Sequence, residues 1–400
     1  MAYFSIMNLV VFDDPLIRPD LLPFTYTRPI ASIRLGILTI REKWEKHLQQ
    51  PSSFLTQEYL QQKFPLEFSS DNLYINGAVC PDENLVNILR SLKKGEALVK
   101  DRLIIAARME DLQDISHARN LSYTANVTLI DQVWKIFQHN GAQIRADFGL
   151  MTRGRQSMRL DDPHTRSYSP ENIFIEEGAV IQAAILNAST GPIYIGKNAQ
   201  VLEGAIIRGP FAMGTDSIVS MGAKVRGETT LGPNCKVGGE ISNAVIFGYS
   251  NKAHDGFLGA SVIGEWCNLG ADTNTSNLKN NYENVKIWNY AKRGFQDTGL
   301  TFCGLMMGDH SKCGINLMFN TGTVTGVSAN IFGAGYPRNF IPSFSWGGAG
   351  GFSTFQLNKA FETASRAMGR RNTILGDEDK KIMQHIFEAT AAERVWEKKS

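Results

Sequence analysis

An apolar residue returns at every sixth position between Ile195 and Val237: Ile195, Val201, Ile207, Met213, Val219, Val225, Leu231 and Val237. The fourth residue after most of them is small (Ala199, Ala205, Ser217, Ala223, Thr229, Cys235), and Gly196, Gly214 and Gly232 follow directly, spaced by eighteen. Six is neither the period of an amphipathic helix nor the alternation of a half-buried strand. It is the period of a three-sided parallel β-helix, in which each side turns one apolar residue inward and eighteen residues complete a coil. One coil cannot bury its inner face alone, so coils must stack. Glycine at a fixed place on each coil suits a corner where backbone approaches backbone.

The chain has 400 residues, more than one core usually serves, so two or more domains are expected. With 41 basic and 39 acidic residues and a net charge of +2, nothing draws the whole molecule to nucleic acid or to a membrane, and neither is expected as a partner. No apolar stretch reaches the roughly 18 residues of a membrane helix. The run from Met1 to Phe12 has no basic lead-in and no small-residue cleavage pattern, so it reads as a buried strand. Five cysteines without a C-x-x-C pair read as reduced thiols of a cytoplasmic protein. Cys303, His310 and Cys313 lack the paired spacing of zinc ligands, and no metal is assigned to them.

In chain order, residues 8–12 read as a strand, followed by a loop with Pro15, Pro19 and Pro23 and a helical stretch from Ile33 to Gln49. A strand at Leu73–Ile75 ends in the turn pair Asn76-Gly77, another lies at Leu103–Ala106, and helical spacing covers Ala125–Asn140. Strands alternating with helices predict a parallel α/β domain, with ligands at the loops after Phe12 and Ile75. Arg18, Arg28 and Arg34 in the first loop suit phosphate, since each guanidinium can donate a bidentate pair. The polar residues 150–172 read as the linker. The expected division is 1–165, an α/β domain; 166–335, the β-helix; and 336–400, a loop and helices near Thr354–Met368 and Asp377–Trp396. The coil pattern resumes at Ile263, Leu269, Met307 and Cys313, around a polar excursion from Asn274 to Asn284, and stops near Gly333.

The stretch NKAHDGFLGASVIGEWCNLGADTNTSN, from Asn251 to Asn277, resembles the acetyltransferase half of the bacterial bifunctional N-acetylglucosamine-1-phosphate uridylyltransferase/glucosamine-1-phosphate acetyltransferase family. That family shows K-A-x-H-x-x-Y-L-G and then I-G-x-x-x-N-I-G-A-G-T-x-x-x-N-Y. The resemblance implies an α/β nucleotidyltransferase-like (Rossmann-like) domain followed by a left-handed parallel β-helix of hexapeptide repeats, a homotrimer, and acyl-CoA such as acetyl-CoA as co-substrate. It places His254 as general base, Asn268 and Asn277 at the acceptor and acyl site, Lys252 and Lys286 toward substrate, and Ala271 as a backbone contact to the acyl donor. An imidazole suits that role, because an amine attacking a thioester must lose a proton. Ser242, Phe257 and Leu278 stand where the family has a lysine and two tyrosines.

More faintly, Leu22-Pro-Phe-Thr25-Tyr-Thr27-Arg28-Pro29 is similar to the segment after the glycine loop of sugar nucleotidyltransferases, with Asp13-Asp14-Pro15 in place of the glycines. Asn76 stands where that family binds magnesium (Mg2+) through an aspartate. The implied partners are a nucleoside triphosphate and a sugar phosphate, joined to give a nucleoside diphosphate sugar and pyrophosphate. A homologue that binds sugar nucleotides without turnover, or one that keeps acyl transfer alone, is the alternative.

Overall fold

The computed structural model describes residues 7–398; the lead-in Met1–Ile6 of the expected first strand lies outside the described residues. The chain forms two compact units, one of Met1–Leu21, Thr27–Ile33 and Leu38–Gln132, the other of Leu22–Tyr26, Arg34–Ile37 and Val133–Ser400.

The first unit is built on a six-stranded sheet in the order Ser52–Leu55, Asn8–Phe12, Asn72–Asn76, Leu103–Met109, Glu96–Lys100, Arg119–Ser122. It is mixed rather than all parallel, because Leu103–Met109 runs antiparallel to both neighbours. The cause is local. Only Asp101 and Arg102 separate Glu96–Lys100 from Leu103–Met109, and Asp101 adopts φ 53°; so short a connection makes a hairpin, since a parallel crossover needs a dozen or more residues. The helix expected from Ile33 begins at Ile40, after Thr39 and Glu42 close a reciprocal capping box. Gly36 at φ 76° prevents an earlier start. The helix expected over Ala125–Asn140 also starts later. Thr128 and Ile130 are held extended by Cys80 N–H donating to Thr128 O and Ile130 N–H donating to Ala78 O, and the helix runs over Val133–Thr152 in the second unit.

The second unit is a parallel β-solenoid, and its register accounts for the hexad. Ile195, Met213 and Leu231 stack on one face, Val201, Val219 and Val237 on another, and Ile207 and Val225 on the third. All eight are at most 2% exposed and belong to one core running from Ile173 to Ile341. Truncating one of them, as in Leu231→Ala, costs about 2–5 kcal/mol through lost burial and the cavity left behind. The glycine at each corner is required by approach: a Cβ on Gly214 would lie 2.7 Å from the backbone nitrogen of Pro233.

The first rung, Arg166–Tyr168, already pairs with Ile185–Asn187. The excursion after Thr275 is longer than its polar stretch suggested and carries an antiparallel hairpin, Lys286–Asn289 with Gly294–Asp297. Coils continue beyond Gly333, where they were expected to stop: Phe340–Ile341 pairs with Val324–Thr325, and Ser345–Gly348 with Asn330–Ile331. There the step between stacked partners shortens to sixteen, from Thr325 to Ile341, which breaks the sequence period. Helices Leu357–Gly369 and Asp377–Ala389 follow; the second ends before Trp396, giving way to short 3-10 turns. Among the described residues no helix is long and apolar enough to cross a membrane.

Candidate functional site

One face of the solenoid carries the strands Lys236–Val237, Asn251–Lys252, Asn268–Leu269 and Lys312–Cys313 in register. Side chains alternate in direction along a strand. Val237, Lys252, Leu269 and Cys313 therefore form the inner column, each 5% exposed or less, and Lys236, Asn251, Asn268 and Lys312 form the outer one. The outer column floors a groove of about 640 Å³. His254 and Ala271 at the next corner line it, and Ala367, Arg370 and Arg371 close it from the C-terminal helical segment. Arg371 Nη2 donates to Asn251 Oδ1 at 3.2 Å, which ties that segment to the floor. Lys312 Nζ donates to His310 O at 3.0 Å, and burial lowers its pKa.

Lys252 breaks the inner column's apolar rule. Its ammonium is held within hydrogen-bond reach of two carbonyls, His254 O and Asp255 O, both at 2.6 Å. Burial brings its pKa down to about 8. The inward lysine thus braces the backbone that presents the exposed His254 ring at the groove. Lys252 has no place in the groove lining itself.

The corner before this face holds residues that motif matching missed. Earlier coils place Asn198, Asp216 and Asn234 there, at φ 55°, 58° and 58°, a conformation short polar side chains tolerate. The groove's coils place Tyr249, Trp266 and His310 there, at φ 53°, 61° and 61°. Bulky residues in that region are strained, and such strain collects at functional sites. Their rings stack, Tyr249 on Trp266 at 4.2 Å and Trp266 toward His310 at 6.4 Å. The available signal was the replacement of an Asn/Asp column by aromatic residues. Lys236, Arg370 and Arg371 were missed as well, since nothing local in sequence links them to His254.

Of the expected residues, His254, Asn268 and Ala271 meet in this groove. Asn277 lies instead beside Phe257 at Gly259, where a Cβ would come 2.6 Å from its amide nitrogen. Lys286 is exposed at the start of the inserted hairpin strand.

In the first unit, Arg18 is buried and donates to Asp13 Oδ2 at 2.5 Å, to Tyr59 OH at 3.2 Å and to Arg28 O at 3.3 Å. Asp13 also accepts from Thr56 Oγ1 and from Ile30 N–H. Burial raises its carboxyl pKa although Arg18 pulls the other way. Arg28 is buried too. Arg34 belongs to the second unit, where it donates to Phe247 O and Ile37 O. Asn76 donates to Asp14 Oδ2 and Ile104 O and accepts from Ala78 N–H. With Asp13 bonded to a guanidinium and the Asn76 amide bonded on both sides, these residues do not fit a magnesium ion, which needs free oxygen ligands in near-octahedral array. Among the described residues no group of three or more His, Cys, Asp or Glu is placed to hold a metal.

Residues 9–156 match a family model described as sugar nucleotidyl transferase. The uncharacterized acetyltransferase YaiX of Escherichia coli strain K12 is 34% identical over 161 residues, 40% of this chain and 69% of that protein. A bifunctional sugar-1-phosphate nucleotidylyltransferase/acetyltransferase of Sulfurisphaera tokodaii is 34% identical over 144 residues, 36% of this chain and 35% of its own length. The solved GDP-perosamine N-acetyl transferase of Caulobacter crescentus, in complex with CoA and GDP-perosamine, aligns over 82% of this chain and 95% of its own at 8% identity and a TM-score of 0.16, and carries no argument. At 34% identity over more than two thirds of YaiX, with a sugar nucleotidyl transferase match across residues 9–156, the chain belongs to the YaiX acetyltransferase family and is a transferase with a sugar nucleotidyltransferase domain.

Proposed function

We propose that the chain transfers an acyl group from acyl-CoA to the amine of a sugar phosphate or sugar nucleotide, with His254 as general base. The observation that carries this is the meeting of His254, Asn268 and Ala271 in one groove ringed by Lys236, Lys312, Arg370 and Arg371. Acyl-CoA supplies an activated thioester. His254 accepts the proton that the attacking amine gives up and returns it to the departing thiol. Asn268 hydrogen-bonds the acceptor, and the basic side chains face the phosphates of either substrate. Lys252 positions the His254 backbone and touches no substrate.

The match across residues 9–156 favours a second activity. In that reading residues 1–165 recognise a nucleoside triphosphate and a sugar-1-phosphate and join them with release of pyrophosphate, residues 166–335 carry the acyl site, and 336–400 complete it. Arg28, Arg34, Asn277 and Lys286 belong to this wider proposal as substrate contacts, and a homotrimer is its assembled form. The test pairs two assays on purified full-length chain: thiol release from acetyl-CoA with amino sugar phosphates and amino sugar nucleotides, and pyrophosphate release from UTP or dTTP with sugar-1-phosphates. Thiol release that depends on an amino sugar establishes the first activity. Its absence across a broad panel, with the folded chain shown to bind acetyl-CoA, refutes it.

A further inference from the structure

Beyond the groove, the last coils of the solenoid hold a cavity of about 840 Å³ that the proposed reactions leave unused. Along the outer column from Asn251 through Asn268, Lys312 and Asn330 to Trp346 there are four rungs, about 19 Å at the usual strand spacing. The cavity and the groove at His254 have no lining residue in common. Its volume lies in the range of pockets that enclose nucleotide-sized molecules.

Three separate parts of the second unit build it. The inserted hairpin contributes Trp288, Tyr290 and Arg293, the last coils contribute Arg338 and Phe340, and the C-terminal turns contribute Glu393 and Trp396. Trp288 stacks on Phe340 at 4.3 Å and 13°, and Tyr290 meets Phe340 edge-on at 5.5 Å. Flat aromatic walls of this kind suit a planar ring, whose faces they cover without demanding one hydrogen-bond pattern.

Polar groups in the same wall lack partners. Trp288 Nε1, Tyr290 OH and Glu393 Oε2 are shielded from solvent and make no hydrogen bond. Tyr290 is 8% exposed. Orphaned buried groups are rare in folded proteins and call for a reason. These atoms are covered, so the cavity meets the ring faces of Trp288 and Tyr290 rather than their polar edges. Burial lifts the Glu393 carboxyl to about 7.

At the rim stand the exposed guanidinium groups of Arg293 and Arg338. The glycine turn Ala349-Gly350 joins Ser345–Gly348 to Gly351–Thr354 beside them. A Cβ at Gly350 or Gly351 would meet nothing within 4 Å, so the turn's backbone faces open space. Guanidinium groups next to an open backbone turn are a phosphate-binding arrangement.

We propose that this cavity binds a nucleoside diphosphate, free or as the head of a larger molecule, with the base among Trp288, Tyr290 and Phe340 and the phosphates against Arg293, Arg338 and the glycine turn. The test is calorimetric titration of the full chain with UDP, GDP and ADP, with uridine, pyrophosphate and coenzyme A in parallel arms. One diphosphate is expected to bind more tightly than its nucleoside or pyrophosphate, and Arg338→Ala and Gly350→Glu each to weaken it about ten-fold or more, the scale of a lost or opposed charged contact. Both positions are open, so neither change threatens the fold, and circular dichroism checks this. Lys236→Ala, in the other groove, should leave that binding unchanged. Preferential binding of coenzyme A at this cavity would identify its adenosine diphosphate part as the source. Absence of diphosphate binding at millimolar concentration overturns the proposal. Binding indifferent to Arg338→Ala and Gly350→Glu also overturns it.

Discussion

Around Asp13 polar side chains bond to one another, whereas His254 and Asn268 lie exposed in their groove. Asp13, Arg18, Tyr59 and Thr56 form a closed set, with the Arg18 and Asp13 side chains 7% and 2% exposed. The groove keeps its cations along a cleft of about 640 Å³ and leaves His254 and Asn268 exposed. Asp13 stands where the resembled family has glycine, while His254 and Asn268 keep the family's residues and stay open. A charged residue beside a strand end can thus be spent on structure, and hydrogen-bond partners decide which has happened.

The largest expected effect is on the reactive side of this contrast. His254→Ala should lower acyl transfer by about 10²- to 10⁴-fold while the thermal midpoint stays put, because the ring is exposed. Thiol-release kinetics and a melting curve on one preparation check both halves. Undiminished turnover would remove His254 from its role as base.

Arg18→Ala probes the closed side and should act on stability. Removing the guanidinium strands the Asp13 carboxylate in a buried site, a loss of about 3–5 kcal/mol, read from the urea midpoint at constant slope. Pairing it with Asp13→Asn should recover part of the loss, since no stranded charge remains. If Arg18→Ala instead leaves the midpoint unchanged and abolishes pyrophosphate release, Arg18 serves substrate and the contrast collapses.

The solenoid was legible because burial imposes one residue type at one spacing over eight positions, and the stacked partners from Ile195 to Leu231 follow it rung by rung. His254, Asn268 and Ala271 were legible through the motif they share. The mixed sheet was not, since strand direction there follows from the two-residue connection at Asp101-Arg102. The groove's other wall was hidden for another reason. From Val237 to Lys252 the step shortens to fifteen, a lysine takes an inner position, and Arg370 and Arg371 arrive from over a hundred residues away.

Lys252 stands between the two regions, closed in its bonding yet serving the open site. Lys252→Met keeps the length and removes both contacts to His254 O and Asp255 O. The expected result is a fall in kcat of about ten- to hundred-fold, as for other displaced catalytic groups, with KM little changed; a substrate-binding lysine would raise KM instead. The pH dependence has a definite sign. Burial lowers the Lys252 pKa from 10.5 to about 8, so its contribution to stability is present above pH 10.5 and is lost as the pH falls through 8. Relative to Lys252→Met, the native chain should gain stability across that window on going alkaline.

Glu393 gives the smallest and most selective test, because it is a half-buried carboxyl whose shielded oxygen accepts no hydrogen bond, unlike that of Asp13. Burial raises its pKa from 4.5 to about 7. A raised carboxyl pKa contributes stability that is present below pH 4.5 and is lost as the pH rises through 7. Glu393→Gln removes that titration, so urea midpoints of native and variant chains should diverge between those limits, with the native chain losing ground as the pH rises. Parallel curves would mean that the carboxyl finds a partner in solution, and the orphaned oxygen would then no longer separate this wall from the closed set around Asp13.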